Sequence, residues 1–581
     1  MNPRRVMPTL ASCALLGLLA GCNSSAQSTE DIRVGVFAEA PVAGLAYATE
    51  SLSGVTDAEG RYTYRAGESI SFSLGNTKLG EPTPAAETLS PLDIVPGAVA
   101  FRTVPEVRAA LEHQDESFFA LTNILVLLQT FDSDGDASRI TIPAAIHDLL
   151  ADAQFDIGVP PMAFLQDPAL RHLAWRAASD GLIPTASPRK PGSALDNFYA
   201  AQGLDHDFDV PRRISRDVGN DSMVDLMIEF LLDNSGTASA LTVQKQISGM
   251  LLDSALEQWT INSNGDVVWH SADVFDDALP ASIWSTNYDE LGLATIVSAP
   301  NGAGGESTTN VTRDSEGNET LTLDQNSDGL IDRVTTRRFD RGGRLTLETQ
   351  DLNMDGTPDS TRMLTYDSNG LLAMERIEAD EDANGDLDSI REILHNEQGQ
   401  PTSANIDYNG DGVIDQIETW RYDSAGRLLE HASQNPSTGV SIALLQLQYD
   451  NAGRVTRRAT TSDFIHTWTY DDDGVLTQSS TQCPSCTVPS VTNTRYLYDP
   501  AARRTTLENE TWLAGVFSDL SLTIYEYDDA GVLTLWLRDD GADGSYELRI
   551  EYANQPGDWS SVLDTRIDQP PSFTVPAYYK D

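Results

Sequence analysis

Four stretches of the chain place oxygen donors at alternate positions ahead of a glycine. They read Asp324-x-Asn326-x-Asp328-Gly329-x-x-Asp332, Asp351-x-Asn353-x-Asp355-Gly356-x-x-Asp359, Asp380-x-Asp382-x-Asn384-Gly385-x-x-Asp388 and Asp407-x-Asn409-x-Asp411-Gly412-x-x-Asp415. Side chains at positions 1, 3 and 5 can turn their oxygens inward, the glycine permits a sharp reversal, and position 9 closes the shell. Position 7, held by Leu330, Thr357, Asp386 and Val413, offers a backbone carbonyl. Hard oxygen donors in this number suit Ca²⁺ better than Mg²⁺ or a transition metal. Phase strengthens the pattern. In all four, the first Asp lies fifteen residues ahead of a ring-bearing residue: Phe339, Tyr366, His395 and Tyr422. The same offset finds Asp217, Asp221 and Asp225 ahead of Leu232, a worn copy without the glycine, and a second degenerate copy holds Asp539, Asp543-Gly544 and Glu547. Ahead of Tyr498 the offset lands on Cys483-Pro484-Ser485-Cys486. That pair reads as a disulfide clip closing a hairpin, as a redox site or as half of a zinc site. No second pair or nearby histidine stands ready for zinc, so the clip is favoured.

The elements that would hold these loops are periodic. Tyr366-Asp367-Ser368-Asn369-Gly370 recurs from Tyr422, Tyr449, Tyr470 and Tyr527, with looser copies from Leu232, Ile261, Tyr288, Arg313, Phe339, His395 and Tyr498. The starts are mostly 25–29 residues apart, with one step of 21 after Tyr449. A residue at a strand end, then Asp/Asn-x-x-Gly, describes a tight turn between two strands. Each unit is therefore predicted to be strand, turn, strand. The pattern resembles the YD repeats of RHS-type proteins over about 215–555, in longer units. The acidic loops lack the Glu at position 12 of an EF-hand. They resemble nine-residue calcium sites on β-hairpins, which implies Ca²⁺ as the bound ion. The predicted fold is mainly β: an N-terminal β-sandwich, a small α-helical segment, and a long hairpin array. The array is expected as an extended meander or solenoid, with a six-bladed propeller as the alternative.

The chain opens with Arg4 and Arg5, an apolar run from Leu10 to Ala20, and Leu19-Ala20-Gly21-Cys22. This is a secretory signal too short to serve as a mature membrane span. It resembles the lipobox of bacterial lipoproteins, which implies cleavage after residue 21, lipidation of Cys22, and a polar tether over 22–31. Asn23 at the next position favours an outer-membrane destination, facing the periplasm or the surface. Residues 32–92 alternate as short strands. The string Pro41-Val42-Ala43-Gly44, Thr56-Asp57, Gly60 and Tyr62 resembles carboxypeptidase-regulatory-like or Ig-like modules, implying a spacer or adhesive role. Residues 100–183 are predicted helical from the spacing of Phe118, Leu121, Ile124, Leu125 and Leu128, with Asp167 capping a helix that starts at Pro168 and ends near Gly181. Asp132-Ser133-Asp134-Gly135-Asp136 between helices reads as a solvated turn or a further cation loop. Residues 184–214 read as a linker and 556–581 as a tail.

Composition narrows the function. The chain carries 88 acidic and 38 basic residues, a net charge of −50. Such a surface repels phosphate backbones, so nucleic acid is not an expected partner. The motifs of serine hydrolases, zinc proteases and phosphate loops are absent, and His206 between two aspartates reads as a loop residue. The expectation is a non-enzymatic calcium-binding lipoprotein of the envelope, held to the membrane by its lipid and presenting a surface to a glycan or protein ligand. A toxin-related carrier, suggested by the repeat resemblance, and a glycan-processing enzyme with accessory repeats are the alternatives.

Overall fold

The computed structural model describes residues 32–557, apart from short internal stretches. Cys22 and His206 lie outside the described residues.

The N-terminal part joins two small sheets to a set of helices. Strands at Ile32–Phe37, Arg61–Arg65 and Thr88–Leu89 form one sheet, and Ala46–Thr49, Ser53–Val55, Ser69–Leu74 and Thr77–Pro84 the other. The alternation in Ser69–Leu74 is that of a half-buried strand, with Ile70, Phe72 and Leu74 inward. Helices follow at Pro91–Ile94 (α1), Glu116–Thr130 (α2), Ala144–Leu149 (α3), Pro161–Leu165 (α4), Pro168–Ser179 (α5) and Pro191–Ala201 (α6). Asp115 caps α2 by accepting from the Ser117 N–H at 2.8 Å. Asp167 caps α5 through the Ala169 and Leu170 N–H groups, Pro168 holds its first position, and Gly181 follows its end at φ +70°. Asp132-Ser133-Asp134-Gly135-Asp136 is a turn with its own partners: Asp132 accepts from Thr141, Asp136 from Ser138, and Arg139 stands 3.6 Å from Asp134.

Two readings of this region change. The β-module does not close a core of its own. Phe37, Leu45 and Ile70 share one hydrophobic cluster with Leu125 of α2, Leu170 of α5 and Leu195 of α6. A core built from some sixty residues is marginal, and here the helices enlarge it. The stretch 184–214 is also no linker throughout. Pro191 opens α6 at its first turn, where its missing N–H costs nothing, and Ala194, Leu195, Phe198 and Tyr199 are buried.

From Phe208–Val218 to Leu548–Gly557 the chain is a continuous antiparallel meander in which each strand pairs with its sequence neighbours. The hairpins lie edge to edge in one sheet, as expected of a meander, and are not divided into propeller blades. The ends are joined. The first strand pairs with the last from Phe208↔Gly557 to Val218↔Leu548, so the sheet closes on itself. Closure leaves no bare edge strand to recruit other chains. Ile214, Leu548 and Ile550 pack together across this seam.

Because the meander is antiparallel, its turns alternate between two edges. Every repeat start falls on one of them: Leu232, Ile261, Tyr288, Arg313, Phe339, Tyr366, His395, Tyr422, Tyr449, Tyr470 and Tyr527 each end a strand, and Tyr498 sits one residue short of an end. The helical part packs against this edge. Ala186 donates to the Leu291 carbonyl at 2.7 Å, Lys190 pairs with Asp266 at 2.7 Å, and His172 stacks on Phe339 with ring centroids 4.6 Å apart. The acidic loops occupy the opposite edge.

Candidate metal-binding rim

The repeat-start edge shows why the units recur as they do. In a turn such as Asp423–Arg427, the Asp423 carboxylate accepts the N–H groups of Ala425 and Arg427, and its second oxygen takes Arg427 Nε at 2.7 Å. The guanidinium holds the Asp423 carboxyl below its ordinary range. The same guanidinium lies 4.8 Å from the Tyr449 ring of the next unit, as Arg344 lies over Tyr366 and Arg454 over Tyr470. Each tyrosine then donates its hydroxyl back one unit. Tyr366 reaches the Leu345 carbonyl, Tyr422 that of Pro401, Tyr449 that of Leu428 and Tyr498 that of Leu476, at 2.7–2.9 Å. Burial pushes the Tyr366 hydroxyl up to about 12. Sequence reasoning found the turn but not this unit-to-unit spine. The Arg that follows the glycine was its signal.

At the opposite edge the four strong loops share one hydrogen-bond plan. Position 1 accepts from the glycine N–H: Asp324 from Gly329 at 2.8 Å, Asp351 from Gly356 at 3.0 Å, Asp380 from Gly385 at 2.6 Å and Asp407 from Gly412 at 2.7 Å. Position 5 accepts from position 7, as Asp328 does from Leu330, Asp355 from Thr357, Asn384 from Asp386 and Asp411 from Val413. Position 9 reaches back to the N–H of position 2: Asp332 to Gln325, Asp359 to Leu352, Asp388 to Glu381 and Asp415 to Tyr408. Asn326, Asn353, Asp382 and Asn409 at position 3 accept from the position-5 N–H. Asp324, Asp380 and Asp407 are buried at the strand ends.

The two worn copies follow the same plan except at position 3, where Gly219 and Gly541 carry no side-chain oxygen. Asp217 accepts from Ser222 at 2.8 Å, Asp221 from Met223, and Asp225 from Val218. Asp539 accepts from Gly544 at 2.8 Å, Asp543 from Ser545, and Glu547 from Asp540. Ser222 takes the glycine's place at φ +69°, beside +84° to +96° at the five glycines. A left-handed residue without glycine is strained, yet the surrounding turn holds it. Closure sets these two loops side by side, with the Gly219 N–H donating to the Glu547 carbonyl at 2.7 Å.

The donor chemistry fits a hard cation. A carboxylate offers about four lone-pair sites, so one or two backbone N–H bonds leave room for a metal. In two loops, Asp380–Asp382–Asp388 and Asp539–Asp543–Glu547, three carboxylates each bring an oxygen within 4.8 Å of the others, so these clusters could hold a metal ion. Among the described residues no Lys or Arg forms an ion pair with a position-1, -5 or -9 carboxylate of the six loops. Cys483 and Cys486 form a disulfide with their Cα atoms 5.5 Å apart, closing a turn on this same edge.

Beyond the rim, one site went unread in the sequence. A cavity of about 270 Å³ lies between α5 and the array, lined by Arg171, His172, Trp175, Glu319, Arg337 and Glu348 among others. Its signal would have needed the tertiary packing. Burial, with the nearby Arg176 charge, lowers His172 to about 4.

The fold and rim thus define a closed antiparallel repeat array with acidic turn loops along one edge. No family model and no curated protein matches the chain. Among solved structures, it is similar to the TcdB2–TccC3–TEV crystal structure at 12% identity, covering 58% of this chain and 19% of that one, with a TM-score of 0.25. Likeness to TcdB2–TccC3 is at 13% identity, 58% and 26% coverage and a TM-score of 0.20. A porin-like protein from Bacteroides uniformis follows at 10% identity, 59% and 96% coverage and a TM-score of 0.13. The chain spans about a quarter or less of the length of those two structures.

Proposed function

We propose that this chain is a non-enzymatic, calcium-binding lipoprotein of the bacterial outer membrane, facing the periplasm or the surface, whose array serves adhesion, ligand binding or envelope structure. The observation that carries the reading is the common plan of the six acidic loops on one edge, with carboxylates uncompensated by Lys or Arg among the described residues. Two carboxylates at 4.8 Å repel by about 1 kcal/mol in bulk water and more in a partly shielded loop. Calcium would relieve that repulsion and tie position 1 of each loop to position 9. The residues that would hold it are Asp, Asn or Glu at positions 1, 3, 5 and 9 where present, and the carbonyl at position 7. Leu19-Ala20-Gly21-Cys22 supports the lipid anchor, and the N-terminal module supports a spacer role.

The test is thermal unfolding of the full chain. At about 1 mM free Ca²⁺ and a Kd of about 10⁻⁴–10⁻³ M, linkage adds about 0.4–1.4 kcal/mol per independent site. A rise in melting temperature with millimolar Ca²⁺, reversed by chelator, is expected. The reading fails if Na⁺ at equal ionic strength gives the same rise. Incorporation of labelled palmitate, lost in Cys22→Ser, tests the anchor separately.

A further inference from the structure

The rim of acidic loops is also where the array exposes its large apolar side chains. Val267, Leu394 and Leu497 aside, every large apolar residue exposed on the described array lies in or within three residues of a turn at this edge. Leu330 is 69% exposed, Val413 62% and Val516 68%; Phe517 stands beside Val516, and Ile442 on a further hairpin of the same edge. Leu330 and Val413 occupy position 7, beside the carbonyl that would face a cation. The opposite edge carries the helical part, so the apolar tips stand away from the N-terminal module. Single surface apolar residues need no explanation, but their concentration on one edge does.

We propose that this edge docks on an anionic phospholipid surface, with divalent cations in the acidic loops bridging to lipid phosphates and the apolar tips entering between the headgroups. The proposal rests on the calcium reading of the loops. Spacing favours lipid over protein: successive hairpins stand about 10 Å apart, two strand spacings, so the tips are isolated prongs and not one continuous patch. Isolated prongs suit a fluid surface that closes around each of them. Charge argues the same way. A second copy of this edge would bring carboxylate loops against carboxylate loops, and a bare anionic headgroup would be repelled unless a cation stood between. Filled loops remove that repulsion.

The experiment is co-sedimentation of the chain carrying Cys22→Ser, so that no acyl group of its own inserts, with phosphatidylglycerol or phosphatidylcholine vesicles. It is run with about 1 mM Ca²⁺, the range of extracellular sites, or with chelator. The expected result is calcium-dependent binding to phosphatidylglycerol that falls at least about tenfold in Ile442→Ser/Val516→Ser/Phe517→Ser, since each truncation withdraws an apolar side chain that stands outside the acidic loops. The triple variant should keep its calcium-induced rise in melting temperature, which shows that it is folded and loaded. If calcium raises the melting temperature of the parent but no vesicle binding appears, the docking proposal falls and the calcium reading stands. If neither appears, both fall. Vesicle binding that ignores calcium or survives the triple substitution overturns the proposal. So does calcium-dependent self-association without vesicles that the triple variant abolishes, which would assign the edge to a second copy.

Discussion

Replacing Gly453 with alanine should cost more than replacing Gly412, although both backbones are left-handed. Gly453 has φ +89° and Gly412 φ +84°, so both substitutions meet the penalty for an L-residue there, about 1–2 kcal/mol. Their surroundings differ. A Cβ on Gly412 would meet nothing within 4 Å, whereas one on Gly453 would stand 2.8 Å from Arg427 Nη1. That guanidinium would have to leave its place 4.8 Å from the Tyr449 ring, where such contacts are worth about 0.5–1 kcal/mol at exposed sites. Its pair with Asp423, at 2.6 Å, adds about 0.3–0.5 kcal/mol. Gly453→Ala should therefore lose about 1 kcal/mol more than Gly412→Ala. Urea unfolding followed by intrinsic fluorescence, in chelator so that the Gly412 loop carries no metal, measures both. In an Arg427→Met background the excess should vanish. Equal losses in the parent, or an excess that persists without Arg427, would refute the idea that the glycine seats the preceding unit's arginine.

Acid should loosen the junction between α5 and the array through His172. Its folded pKa is depressed from 6.5 to about 4 by burial first and Arg176 second, so the unfolded chain binds the proton more readily. The stability it contributes is whole above about pH 6.5 and is lost as pH falls towards 4, on the order of 2–3 kcal/mol. His172→Gln should flatten that slope in unfolding titrations from pH 7 to 5, and an unchanged slope would assign the acid sensitivity elsewhere. At the worn loop, Ser222→Gly should stabilise the chain by about 1 kcal/mol in urea unfolding by relieving the φ +69° backbone, and destabilisation would mean that the serine side chain holds the loop.

Much of the array was legible because its signals are local. The turn chemistry of Tyr-Asp-x-x-Gly fixes a strand end, and a strict phase carries that end from unit to unit, so the repeat starts coincide with turns. The caps at Asp167 and Pro168 were readable for the same reason. Three things were not. Residues 184–214 read as a linker because a proline that opens a helix, as Pro191 does, and one inside a linker look alike until burial of Leu195 and Phe198 is known. Closure depends on pairing Phe208–Val218 with Leu548–Gly557, a contact across the whole array that no local pattern encodes. The loop at Asp217 reads as worn for its missing glycine, and that at Asp539 as a second degenerate copy. Yet Ser222 adopts the glycine's backbone, and Glu547 reaches the N–H that Asp reaches elsewhere. Hydrogen bonding to the turn, which composition does not report, decides whether such a loop forms.

The central claim is that the acidic rim is a set of calcium sites, and the number of ions bound by the intact chain tests it most directly. Equilibrium dialysis against Ca²⁺ at physiological ionic strength should give about six ions per chain at saturation, in the 10⁻⁴–10⁻³ M range of extracellular modules. Asp380→Asn/Asp388→Asn should remove about one of them and leave the rest. Binding of no ions above the level of an acidic control protein, or a count untouched by that double substitution, would contradict it.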